Sequence, residues 1–244
     1  MGYGDWILAS ADVKEANIRT GKKVFLGDGK NFYKDEQVFL NNPRMASPGD
    51  DAVWINNYSG SRPYISRIDN KRLIFNDDYS AKPGEIFLAE DELLDLPESP
   101  YIVIEPNVKS TYKHGMNKSW PYWSELTDMG LPFIQLGMGE KPLFNHVQTK
   151  TFRRAMAVLS KAALFVGTDG GLHHAAAALG VPAVVIWTGF SSPRHLGYDT
   201  HINIHDGSEP CGTYSGICQH CVKKAKAISP EEVKAAIKGA YEKR

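Results

Sequence analysis

From Tyr101 onward, short unbroken apolar runs alternate with stretches that read as helices. The runs are Tyr101 to Glu105, Pro132 to Leu136, Leu164 to Val166 and Ala183 to Trp187, with His201 to Ile204 as a further candidate. Between them, Trp120 to Met129, Thr151 to Lys161 and the Ala-rich Gly171 to Leu179 have helical character. Ser229-Pro230-Glu231-Glu232 opens a last helix, with serine as cap, proline at the first position and acids in the first turn. A strand with no polar side has to be covered on both faces. The pattern therefore predicts an α/β fold with a parallel sheet between helical layers. Ligands of such sheets sit outside the carboxyl ends of the strands. The loops after Glu105, Leu136, Val166 and Trp187 are thus where chemistry is expected.

The part before Tyr101 is irregular. Asp5 to Arg19 reads as a helix ended by Gly21, and Lys23 to Leu26 as a short strand before the turn Gly27-Asp28-Gly29. Ala52 to Ile55, Tyr64 to Ile68, Arg72 to Phe75 and Glu85 to Leu88 are further strand candidates, separated by Asn, Gly, Pro and Asp. The texture changes at Leu96-Pro97-Glu98-Ser99-Pro100, which places a domain boundary between residues 1–97 and 98–244.

Lys plus Arg and Asp plus Glu number 28 each, so the chain has no basic excess of the kind nucleic-acid binders carry. No apolar run approaches the roughly 18 residues of a membrane span, and the N-terminus lacks the pattern of a signal peptide. A cytoplasmic protein is the expectation. The three cysteines, all between Cys211 and Cys221, do not make a secreted disulfide framework.

The most informative segment runs from Phe165 to Pro182: a strand, the turn Thr168-Asp169-Gly170-Gly171, and a helix beginning Leu172-His173-His174. Glycines allow a ligand to approach the backbone. A helix start offers unpaired N–H groups and a positive dipole end to a phosphate. Thr168 and His174 can add side-chain hydrogen bonds. Taken alone, a Gly-Gly pair makes only a tight turn.

As a whole the segment resembles the donor-binding signature of glycosyltransferase family nine, the lipopolysaccharide heptosyltransferase family. The counterpart here is Asp169-Gly170-Gly171-Leu172-His173-His174, then Ala175 to Leu179, Gly180-Val181-Pro182, the strand to Trp187, and Thr188 to Pro193. The resemblance implies a GT-B-like α/β fold of two Rossmann-like halves, the N-terminal one shortened and irregular. It also implies that this stretch holds the diphosphate of a nucleotide-sugar donor. Gly170 and Gly171 would supply backbone donors, with Thr168 and Asp169 in the same site, and His174 matches the histidine of the motif.

Gly4-Asp5 is similar to the family's Gly-Asp at the start of its first helix, although only Met1-Gly2-Tyr3 stands where the family has a preceding strand. By that resemblance Asp5 is the candidate general base, taking the acceptor hydroxyl proton; a plain N-cap is the alternative. Lys118 before Trp120-Pro121-Tyr122-Trp123 resembles a family element whose lysine reaches the donor phosphates, a task suited to a mobile point charge. Gly139 and Glu140, in the loop after the Pro132-to-Leu136 strand, take their candidacy for the nucleotide pocket from position alone.

The implied activity is transfer of a sugar from a nucleotide-diphosphate sugar to an acceptor hydroxyl, with inversion. The expected acceptor is a glycan or another hydroxyl-bearing molecule; nucleic acid is disfavoured by the charge balance, not excluded. No Asp-x-Asp pair occurs, which fits metal-independent transfer with no cofactor besides the donor. Two other readings remain open. One is a non-catalytic nucleotide-sugar module. The other is an epimerase or hydrolase using His173, His174 or Glu105. Finally, Cys211, Cys218, His220 and Cys221 have the residue types of a zinc site, against the alternative of reduced structural thiols.

Overall fold

The structure, a computed structural model, describes residues 2–58, 61–108, 113–137 and 142–243, without the side chains at 113, 114 and 137. Its elements in chain order are α1 (Tyr3–Thr20), β1 (Lys23–Leu26), α2 (Glu36–Phe39), β2 (Ala52–Ile55), β3 (Ile65–Asp69) and β4 (Arg72–Phe75). Then come β5 (Ile102–Glu105), β6 (Phe133–Gly137), β7 (Asn145–Gln148), α3 (Phe152–Leu159), β8 (Leu164–Thr168) and α4 (Gly171–Ala178). The chain closes with β9 (Ala183–Ile186), α5 (Pro193–Leu196), β10 (His201–Ile204), α6 (Gln219–Ala227) and α7 (Pro230–Tyr241).

β5 to β10 form one six-stranded sheet in the order β10-β9-β8-β5-β6-β7, with every pairing parallel. Alternate residues of each strand point to opposite faces, and both faces are apolar. Ile102, Ile104, Leu164, Val166, Val184 and Ile186 meet α7 and the segment bearing Trp120, Trp123 and Leu126. Val103, Phe165 and Val185 meet the layer formed by α1, α3 and α4. This double burial is why the strands read as unbroken hydrophobic runs. Sequence order reverses between β5 and β8, whose ends lie side by side with Glu105 opposite Gly167. A crevice for ligand belongs at that reversal.

The N-terminal half has no comparable sheet. β1 and β2 make a two-stranded parallel pair, and β3 and β4 a separate antiparallel hairpin. Its main element is α1, whose buried stripe includes Ile7, Leu8, Ala11, Val13 and Ala16. Each large member of that stripe contributes about 1.5–3 kcal/mol over an exposed position. Gly21 ends the helix in the left-handed conformation, φ 69°, and its N–H returns to Asn17 O at 2.8 Å. The stripe shares one core cluster with Val103, Phe165, Ala175 and Ala176 of the C-terminal half. Arg153 of α3 fastens the same junction. It pairs with Glu92 at 2.5 Å and donates to Gln37 O at 3.1 Å.

Several local expectations shift. Glu85 to Leu88 is not a strand: the Glu85 N–H goes to Ser10 Oγ at 2.9 Å, not to a ladder. The helix expected over Trp120 to Met129 is a 3-10 segment, Trp123–Met129. Pro121 has no N–H to continue a helix, and Gly130 stops the segment at φ 63°. β7 was not expected from sequence; it is polar and lacks the apolar runs that mark the inner strands.

Candidate functional site

β8 ends at buried Thr168, and Asp169-Gly170 turns the chain into α4. Gly170 is the N-cap residue, extended at φ −174°, so the N–H groups of the first turn face out of the helix start. Gly171 is pressed from the side: a β-carbon there would lie 3.2 Å from Phe152 Cζ and 3.4 Å from Tyr3 Cβ.

Asp169 is the hub. Its Oδ2 accepts from Lys118 Nζ at 2.7 Å and from the Ser191 hydroxyl. Its Oδ1 lies 3.8 Å from both His173 Nδ1 and His174 Nε2. Burial pushes the Asp169 carboxyl up, but the Lys118 ammonium and the two histidines outweigh it and hold the group well below the usual carboxylate range. Lys118 carries that effect at neutral pH, because both imidazoles are uncharged there. Burial brings His174 down to about 4, with Asp169 opposing, and holds His173 well below its ordinary value. Lys118 also sits 5.0 Å from the centre of the Phe190 ring, a cation–π distance.

The two histidines part company. His174 Nδ1 is 2.7 Å from the Tyr198 hydroxyl, which burial keeps protonated, and this bond fixes the ring beside Asp169. His173 is fully buried among Trp187, Tyr198 and His201, with centroids 5.3, 5.2 and 5.5 Å away. Neither of its ring nitrogens has a hydrogen-bond partner.

Asp5 is the third helical residue of α1, behind the N-cap residue Gly2, so it is not itself the N-cap. Its Oδ2 accepts from Gly2 N at 2.8 Å and its Oδ1 from the Tyr64 hydroxyl. Gly4 places this carboxylate beside the turn that opens α4. A β-carbon at Gly4 would lie 2.8 Å from His174 Cδ2 and 3.6 Å from Gly171 Cα. Asp5, Lys118, Thr168, Asp169, Gly170, Gly171 and His174 are therefore brought to one region. Gly139 and Glu140 lie outside the described residues.

Ser191, Tyr198 and Tyr64 complete this network and were not singled out in the sequence. Ser191 falls in the Thr188-to-Pro193 part of the signature and Tyr64 in an expected strand, Tyr198 in neither, and no spacing marks their hydroxyls. Glu105, at the end of β5, accepts from Asn107 N at 2.7 Å, and burial raises its carboxyl to about 8. The four residues Cys211, Cys218, His220 and Cys221 also come together, on the segment leading into α6 and in its first turn.

Comparison with known proteins agrees with this architecture. One solved structure resembling the chain is the iron-containing dodecameric glycosyltransferase TibC from enterotoxigenic E. coli H10407. It shares 14% identity and has a TM-score of 0.67, over 100% of this chain and 74% of that one. The glycosyl transferase family 9 structure from Veillonella parvula DSM 2008 has 16% identity and a TM-score of 0.65, over 100% of this chain and 96% of that one. A TibC complex with ADP-D-beta-D-heptose matches at 18% identity and a TM-score of 0.50, over 67% of this chain. The match spans only 50% of that TibC chain. No curated protein matches. The fold is GT-B-like, with a parallel α/β sheet and a reduced N-terminal half. Residues 144–228 match the sequence model of glycosyltransferase family 9 (heptosyltransferase), the family that the Asp169-Gly170-Gly171 turn resembles.

Proposed function

We propose that the chain transfers a sugar from a nucleotide-diphosphate sugar to an acceptor hydroxyl, with inversion and without a divalent ion at the diphosphate. The observation that carries this reading is the Lys118–Asp169 pair, 2.7 Å long, at the turn that opens α4. A diphosphate on the Gly170-Gly171 turn would meet helix N–H groups and the Lys118 ammonium together. The helix N–H groups are fixed before the reaction, and both they and the ammonium oppose the charge that builds on the leaving group. Ser191 remains on Asp169 if Lys118 swings toward phosphate.

In the reaction, an acceptor oxygen attacks the anomeric carbon while the bond from that carbon to the phosphate oxygen breaks. The bonding electrons leave with the diphosphate, and the hydroxyl proton passes to Asp5. One displacement inverts the carbon. Tyr64 and the Gly2 N–H hold the Asp5 carboxylate in place. We assign residues 1–97 to the acceptor side and 98–244 to the donor side, with Gly139 and Glu140 toward the nucleoside. The TibC complex with ADP-D-beta-D-heptose makes adenosine diphosphate sugars the first donors to test. A cytoplasmic setting fits such a donor. No helix among the described residues is long and apolar enough to cross a membrane.

The test is a thermal-shift screen of nucleoside diphosphates and their sugars, with and without magnesium. A binding ligand raises Tm by mass action. One nucleoside diphosphate should shift Tm equally in both conditions, and Asp5→Asn should keep the shift while losing transfer to glycan acceptors. Shifts seen only with magnesium would contradict the metal-free reading. Release of free sugar from donor alone, lost in Glu105→Gln, would favour the hydrolase reading.

A further inference from the structure

A second cluster of reactive side chains lies on the segment after β10 and the first turn of α6. Cys211, Cys218, His220 and Cys221 each offer one ligand atom, and the four atoms lie within 4.8 Å of one another. The Sγ atoms of Cys211 and Cys221 are 3.0 Å apart, and both residues are buried. His220 Nδ1 is buried without a hydrogen-bond partner. Stranding a polar atom in this way carries a desolvation penalty. Three thiols and one imidazole make a complete four-ligand set, and thiolates select zinc or iron over hard cations. We propose that these four side chains hold one thiophilic metal ion, zinc or iron, in a closed tetrahedral site. Binding would release the thiol protons and change no oxidation state.

The surrounding contacts assign the ion a bracing task. Cys211 N and Gly212 N donate to Gly189 O and Phe190 O at 2.9 and 3.0 Å, which ties the cluster to the loop carrying Ser191. Asn117, next to Lys118, donates to Thr213 O at 2.8 Å and Gly216 O at 2.9 Å, and accepts from Cys218 N at 2.7 Å. Leu73 N donates to Gly212 O at 2.8 Å, and Arg72 Nε to Cys211 O at 3.0 Å, which joins the β3–β4 hairpin. Gly212 makes the last approach possible. Its φ is 59°, and a β-carbon there would lie 2.0 Å from Leu73 O. The ion thus steadies the loop that carries Ser191 and, through Asn117, the segment that carries Lys118, the two groups that donate to Asp169 Oδ2. This bracing clause rests on the proposed donor site; the metal site does not.

The experiment is metal analysis of the full chain purified without chelator, combined with titration of the folded protein by a mercurial reagent. About one equivalent of zinc or iron per chain is expected, released as three thiols react. Elemental analysis separates iron from zinc, and the ultraviolet thiolate-to-iron(II) band, which moves into the visible on exposure to air, marks iron on the thiols. Cys218→Ser and His220→Ala should each lower the bound metal at least fivefold. Stripped wild-type protein should regain one equivalent from zinc(II), or from iron(II) under anaerobic conditions. Less than a tenth of an equivalent, with no uptake on reconstitution, overturns the site. So does a Cys211–Cys221 disulfide detected by mass. If metal is present and its removal leaves nucleotide affinity unchanged, the bracing role fails and the site stands. A metal-loaded chain that binds no nucleotide sinks the proposed function instead.

Discussion

Gly4 of α1 and His174 of α4 are in contact, with room for a hydrogen and nothing larger: a β-carbon at Gly4 would stand 2.8 Å from His174 Cδ2. The ring cannot retreat, since Tyr198 holds its Nδ1 at 2.7 Å. The start of α1, with Asp5, is thereby seated against the start of α4. Gly4→Ala should cost about 1–3 kcal/mol of stability, the usual range for overpacking, and weaken nucleotide binding through His174. Urea unfolding and calorimetric titration read the two effects. Unchanged stability together with unchanged affinity would mean that the helices are not in this contact.

Lys118 and Asp169 make a pair that is buried on the aspartate side, with side-chain exposures of 26% and 4%. Removing the lysine leaves a buried carboxylate with no opposite charge beside it at neutral pH and the Ser191 hydroxyl donating to its Oδ2. Lys118→Met is therefore expected to destabilise by about 2–4 kcal/mol. Adding Asp169→Asn should restore most of the stability and none of the nucleotide affinity. Recovery of both would remove Lys118 from the donor site.

The Asp169-Gly170-Gly171 turn rests on histidines that are neutral when folded. His174 and His201 are lowered to about 4 by burial, and His173 is lowered as well. Between pH 6.5 and 4 the unfolded chain holds protons on these rings that the native chain does not. Stability is thus complete above pH 6.5 and is lost as pH falls, by up to about 1.4 kcal/mol per pH unit for each ring. Asp169, whose folded carboxyl is depressed, adds a further loss below about pH 4. Urea midpoints that stay flat from pH 7 to 5 would show that these rings are not buried uncharged.

Glu105 has the opposite sign. Its folded carboxyl is raised to about 8 from an ordinary 4.5, so the native state keeps a proton that the unfolded chain gives up. Its contribution is full below pH 4.5 and disappears as pH rises toward 8. Glu105→Gln keeps the shape and the Asn107 contact, and should gain on the order of 2 kcal/mol over wild type at pH 8. Parallel stability curves for the two proteins from pH 5 to 8 would refute this. The same variant provides a background in which the histidine slope can be measured alone.

The C-terminal sheet is legible in the sequence because Ile102 to Ile104 and Val184 to Ile186 are buried on both faces, and double burial leaves no polar residue to blur the pattern. Edge strand β7, Asn-His-Val-Gln, offers no such signal. The Gly-Gly turn is legible because helix-start geometry needs small residues next to each other in sequence. Tyr64, Ser191 and Tyr198 are not, because they reach the site from remote segments through tertiary packing. Nor does spacing reveal that Asn117 binds the cysteine segment, about a hundred residues away in the chain. The close approach of Gly4 is likewise invisible until α1 is laid on α4.

The most direct test of the account is a crystal structure of the chain with a nucleoside diphosphate. The diphosphate should lie on Gly170 and Gly171, accepting from the first-turn N–H groups of α4 and from Lys118 Nζ, with no ion between it and the protein. Diphosphate bound away from that turn, or bridged by a cation held on Asp169, His173 and His174, would contradict it.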